Sequence, residues 1–155
     1  MWTHFMDMHS GGGTKVEPYE HIFIEATEAE AKVIFYNRFK RNPERVTCTC
    51  CGEDYSITEC ADLAQATAYE RGCDYAYIDR DGAEKTEDDW YALPREQRGE
   101  LTGRYLERKA RRFAYREYVT LEDYMKREDV LFIPASHIKP EERTGSLPTE
   151  GYVWV

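Results

Sequence analysis

Residues 20–41, EHIFIEATEAEAKVIFYNRFKR, change hydrophobic period in one step. The stretch EHIFIEA is rich in β-branched and aromatic residues, as a buried strand requires. Thr27 stands three residues before Glu30, the spacing of a capping box. Beyond it Ala31, Ile34, Phe35 and Phe39 recur at helical spacing, so one face of a helix running to about Arg41 points to a core. Asn42-Pro43 ends that helix, because proline disfavours helical geometry in the residue before it. A strand that leads directly into an amphipathic helix has to bury both apolar faces in one core.

The rest of the chain extends this mixed pattern. Residues 2–8 read as a second strand, joined to 20–26 by a glycine-rich loop at 10–15. That connection is long for a hairpin and suggests a working loop. RVTCTCCGEDYSI reads as a short strand, a cysteine turn and a return strand. Ser56 with Glu59, or Thr58 with Asp62, opens a second helix that stops before Gly72. DYAYID is a strand and Asp81-Gly82 a turn, and 81–90 forms a solvated acidic loop. A basic helix is expected over about 95–118, with Leu106, Ala110, Phe113 and Ala114 on one side and Arg104, Arg108, Arg111, Arg112 and Tyr115 on the other. Thr120 caps a short fourth helix, VLFIPA is a late strand, KPEERTGSLPTEG a loop and YVWV a terminal strand or tail. The expectation is a single α+β domain over 1–155, with a mostly antiparallel sheet packed by three to four helices.

Charge narrows the partners. The chain carries a net −9, which argues against direct binding to a nucleic-acid backbone. Residues 95–116 hold a local +5 and leave −14 on the remainder. One basic element on an acidic body fits either a localised anion site or an internal salt-bridge partner. No stretch has the length and apolarity of a membrane span, and no secretory leader is evident at MWTHFMDMHS. A cytoplasmic setting follows as the expectation. There the five cysteines are thiols or metal ligands rather than disulfides.

Three constellations carry chemistry. Cys48 and Cys51, followed by Gly52, have the C-x-x-C-G spacing of half a zinc knuckle. A matching second pair is missing, so Cys60, Cys73, Cys50 or a histidine would have to complete the site through the fold; a turn with reduced thiols is the alternative. Ser10, Gly11, Gly12, Gly13, Thr14 and Lys15 offer backbone amides, hydroxyls and a cation, the parts of an anion-binding nest, or else form a plain mobile loop. The stripe of Arg104, Arg108, Arg111 and Arg112 with Tyr115 could grip phosphates and stack a base, or be neutralised by the protein's own carboxylates. The catalytic signatures of zinc proteases, serine hydrolases and dinucleotide enzymes are absent.

DMHSGGGTKV, VTCTCCGEDYSI and EERTGSLPTEGYVWV occur in order across nearly the whole chain. Together they resemble a group of small proteins encoded in tailed-bacteriophage genomes. No catalytic residue is carried over from that group. The resemblance implies a phage protein acting in the host bacterial cytoplasm, a setting in which small accessory proteins block host machinery or defence. The expected function is therefore non-enzymatic binding. The leading expectation is capture of a small anionic, nucleotide-type ligand by the glycine loop and the arginine stripe. The alternatives are an acidic inhibitor of a host nucleic-acid enzyme, led by Asp79, Asp81, Glu84, Glu87, Asp88 and Asp89, and a zinc-supported adaptor module. Self-association stays open.

Overall fold

The computed structural model describes residues 1–105, 112, 113, 116, 117 and 119–148. Contacts sort the chain into two units, one made of Met1–Ala66 together with the stretch from Glu122 onward, the other of Thr67–Leu121. Helices and strands are mixed, and among the described residues all strand pairings but one are antiparallel, so the α+β expectation holds.

The first unit is built on strands β1 (Trp2–Asp7), β2 (His21–Ile24), β3 (Tyr55–Cys60) and, last among the described residues, a strand at Val130–Ile133. Their spatial order is β3, β1, β2, Val130–Ile133, and only the last pairing is parallel. Strand alternation puts Thr3, Phe5 and Asp7 on one face. That face is covered by helix α1 (Glu28–Phe39) through Ala31, Ile34 and Phe35, which are fully buried with Phe5, Ile22 and Ile24. Thr27 caps the helix by accepting the Glu30 amide at 3.4 Å. Lys40, at φ 55°, closes it by donating its backbone amide hydrogen to the Tyr36 carbonyl at 2.8 Å. The segment around Glu142 is held along α1. Arg38 donates to both carboxylate oxygens of Glu142 at 2.7 and 2.9 Å, and Asn37 donates to the Glu142 carbonyl at 2.7 Å.

Several local expectations are corrected. Tyr55–Cys60 is one strand, so Ser56 and Glu59 do not open a helix; its residues pair with β1 from Trp2↔Cys60 to Asp7↔Tyr55. The second helix, α2 (Leu63–Arg71), starts instead at Asp62, whose carboxylate accepts the Gln65 amide at 2.8 Å. Gly72 follows it at φ 84°, as the sequence indicates.

In the second unit, β4 (Cys73–Asp79) pairs with β5 (Glu84–Lys85) and with β6 (Arg98–Tyr105), both antiparallel. The expected acidic loop at 81–90 contains β5 and the start of helix α3 (Glu87–Ala92), capped by Thr86. The expected basic helix over 95–118 is overturned where it is described: Arg98–Tyr105 is a strand, and β7 (Arg112–Phe113) pairs with β8 (Arg116–Glu117). The reason is visible at Gly99. A Cβ there would lie 2.4 Å from the Asp79 carbonyl oxygen, so the two strands approach in a way only glycine permits. Gly99 and Gly103 also disfavour a helix. Helix α4 (Leu121–Met125) and strand β9 (Val130–Ile133) lead back into the first unit, where Tyr124 packs edge-on to Phe23 and Phe132.

On the sheet face opposite α1, the His4 ring stacks on Phe23 at 4.2 Å, and its Nε2 lies 2.9 Å from His21 Nδ1. Burial, and secondarily the neighbouring His21, lower the His4 pKa from 6.5 to about 3. Between those values the unfolded chain binds a proton that the folded chain refuses, so stability present above pH 6.5 is lost as pH falls towards 3. Glu142, held to about 2 by Arg38, adds its own loss only below about 4.5. Thermal melts of the parent should therefore decline between pH 6.5 and 4.5, and His4→Phe should flatten that interval. An equal decline in both proteins would contradict the assignment.

Candidate functional site

The site grows from the end of β1. The phase that buries Thr3 and Phe5 also buries Asp7, and a buried carboxylate has to find donors. It finds them in the glycine loop. Asp7 Oδ1 accepts the His9 amide at 2.7 Å and Oδ2 accepts the Lys15 amide at 2.6 Å. One carboxylate thus ties both ends of the loop. Between them His9, Gly11 and Gly12 take φ of 53°, 74° and 138°, and Gly12 donates to the His9 carbonyl. The Lys15 ammonium turns inward, donating to the carbonyls of Ser10 and Gly13. Glu20 accepts from Thr14 Oγ1 at 2.7 Å and contacts His9 Nε2 at 2.5 Å.

Folded this way, the loop meets the cysteine turn. Buried Ser10 donates through Oγ to the Gly52 carbonyl at 2.9 Å. Gly11 lies so close to Thr47 that a Cβ would stand 2.9 Å from its Cγ2. Thr47 is itself fixed by buried Asp54, which accepts both its amide and its hydroxyl, at 2.8 and 2.7 Å. Cys48 and Gly52 form an antiparallel bridge, with the Gly52 amide on the Cys48 carbonyl at 3.1 Å and Gly52 at φ 92°.

The bridge presents three thiols on one turn. Cys48 Sγ is 3.0 Å from Cys50 Sγ, which is 3.9 Å from Cys51 Sγ, and the three sulfurs all lie within 4.8 Å of one another. Cys48 is half-buried and the other two are exposed. The Cys50 thiol, then that of Cys51, then their backbone amides stabilise a Cys48 thiolate and bring its pKa down to about 7. The same contact with Cys48 pushes Cys50 up to about 11. A cluster of this composition can hold a metal ion.

The structure thus brings Ser10 and Gly11 onto the backbone of the cysteine turn, and adds Cys50 to the Cys48–Cys51 pair. Cys60 does not join them. It pairs with Trp2 at the far end of β3, roughly 16 Å along the strand from Tyr55 at ~3.3 Å per residue. Cys73 opens β4, and its side chain lies outside the described residues. Of the arginine stripe, Arg104 is on β6 and Arg112 on β7, while Arg108, Arg111 and Tyr115 lie outside the described residues. Three residues that sequence reasoning missed are Asp7, Glu20 and Asp54. The available signal was the phase of β1, which places an aspartate on the apolar face immediately before a glycine loop. No family model matches the chain, and no match was found among curated proteins or solved structures. Among the described residues, no helix is long and apolar enough to cross a membrane.

Asp7→Ala would leave two loop amides without their charged acceptor. Hydrogen bonds to charged groups contribute about 1.5–3 kcal/mol each, so the urea midpoint should fall clearly and the His9 and Lys15 amides should lose exchange protection. Unchanged protection would contradict the tethering role.

Proposed function

We propose that the chain is a small non-enzymatic binding module whose cysteine turn takes a zinc ion. The observation that carries this reading is the three-thiol cluster at Cys48, Cys50 and Cys51. Zinc prefers a tetrahedral set of thiolate and imidazole ligands. Three thiolates from one turn supply most of that set and leave a fourth position for water or a partner's side chain. Binding would lock a turn that already leans on the glycine loop, giving a rigid exposed knuckle of the kind adaptor modules present to partners. The setting we infer is the one the resemblance implies, a phage protein acting on a host component in the bacterial cytoplasm. Capture of an anionic ligand by Ser10–Lys15 has less support. Asp7 already takes the His9 and Lys15 amides, and an incoming phosphate would face Asp7 and Glu20.

Protein purified without chelator and equilibrated with zinc should hold about one equivalent after desalting, by elemental analysis, and melt at a higher temperature by mass action. Binding should strengthen from pH 6 to 8, because the thiols must lose protons. Cys48→Ser and Cys51→Ser should each weaken binding sharply. Failure of the parent to retain zinc would remove the reading.

A second reading rests on a different observation. Asp81, Glu84, Glu87, Asp88 and Asp89 are all exposed across β5 and the start of α3. Asp79 does not belong with them, since its carboxylate accepts the Asp81 and Ala83 amides at 2.9 and 2.8 Å and organises the turn. An acidic ridge of this kind suits a basic groove on a host nucleic-acid enzyme. Capture of a specific protein from bacterial lysate should then weaken steeply with added salt and be lost on Asp88→Lys with Asp89→Lys. Capture that is indifferent to both would count against this reading.

A further inference from the structure

We propose that Cys48 and Cys50 form a reversible dithiol–disulfide pair that reacts with small peroxides. The inference rests on the placement of the sulfurs and stands whether or not the turn binds metal.

Geometry selects the pair. Cys48 Sγ and Cys50 Sγ are 3.0 Å apart, whereas Cys50 and Cys51 are separated by 3.9 Å. Bond formation from 3.0 Å needs only about one further ångström of approach, since a disulfide is ~2.05 Å long. Linking the adjacent Cys50 and Cys51 would instead force the peptide between them away from its planar trans geometry. The backbone is held where the reaction needs it. Cys48 is paired to Gly52, and Ser10 holds the Gly52 carbonyl, so the turn does not have to refold to close the bond. Cys50 is exposed, which admits a small oxidant. Cys60 is unsuited to join, at the far end of β3.

The chemistry balances with a peroxide as the oxidant. One thiol of the pair, deprotonated, attacks a peroxide oxygen. A sulfur–oxygen bond forms, the oxygen–oxygen bond breaks, and the leaving oxygen takes a proton to depart as water or an alcohol. The result is a sulfenic acid. The second thiol attacks that sulfur, forming the disulfide and expelling the hydroxyl group, which leaves as water with the second thiol's proton. Two thiols have been oxidised and one peroxide reduced. A small dithiol reverses the step by exchange through a mixed disulfide. In a reducing cytoplasm the bond would be transient.

The test uses the full chain, reduced and metal-free, treated with hydrogen peroxide, alkylated at the remaining thiols and mapped by fragmentation mass spectrometry. The expected product has lost two hydrogens, carries no alkyl group on Cys48 or Cys50, and returns to the dithiol with dithiothreitol. Cys51→Ser and Cys60→Ser should give the same product. Cys50→Ser should lose it. All three variants should keep the parent's circular dichroism, because these positions are exposed or at a strand end. A Cys50–Cys51 link, links only between chains, or direct passage to sulfinic acids without a disulfide would overturn the proposal. A parallel zinc titration separates the two readings. A disulfide in a protein that binds no zinc removes the metal reading alone, and zinc binding without the disulfide removes this one alone.

Discussion

The arrangement of the first unit around its site depends on one buried charge. Asp7 ends β1 on the apolar face, where an unpaired carboxylate would cost several kcal/mol. Its two oxygens are satisfied by amides from opposite ends of the glycine loop. That requirement bends the loop back onto the cysteine turn that precedes β3, and the bend puts Ser10 on Gly52 and Gly11 against Thr47. The glycines serve this packing. Gly11 combines a left-handed backbone with a contact that leaves no space for a Cβ. The loop that looks like an anion nest has, in effect, an internal anion.

This explains what was legible in the sequence and what was not. Helix α1 was readable because its apolar residues repeat at 3.6 and Thr27 marks its start, both local signals. Gly72 and Gly82 were readable as punctuation for the same reason, and both take positive φ. The helix expected over 95–118 rested on an apolar side of Leu106, Ala110, Phe113 and Ala114 with arginines opposite, and none of those four apolar residues falls within Arg98–Tyr105. Pairing of β6 with β4 decided the conformation of Arg98–Tyr105 through a close strand approach at Gly99. A similar override acted on Ser56 and Glu59, whose capping spacing lost to strand pairing with β1. At the site, C-x-x-C-G pointed to the right turn, but Cys50 was assigned no firm place because spacing alone cannot say which sulfurs converge. The roles of Asp7, Asp54 and Glu20 are tertiary. Asp7 meets an amide eight residues away, and Asp54 reaches back to Thr47.

The thiol cluster and its support form a graded system. Asp54 fixes Thr47, the Cys48–Gly52 bridge closes the turn, and Ser10 holds the bridge from the glycine loop. The thiols themselves interact strongly enough to split their acidities, Cys48 to about 7 and Cys50 to about 11. Metal binding and disulfide formation would draw on the same sulfurs, so each would exclude the other. Oxidation would then release the metal, and a bound metal would protect the thiols.

The coupling between loop and turn is open to one direct measurement. The Ser10 hydroxyl donates to the Gly52 carbonyl, a backbone group of the cysteine turn. For the proposed zinc site, competition with a chromophoric chelator would compare the affinity of the parent with that of Ser10→Ala. Losing a hydrogen bond worth about 1 kcal/mol in the bound state should weaken binding about fivefold, with stoichiometry unchanged. An affinity identical to that of the parent would contradict the claim that the glycine loop exists to brace the cysteine turn.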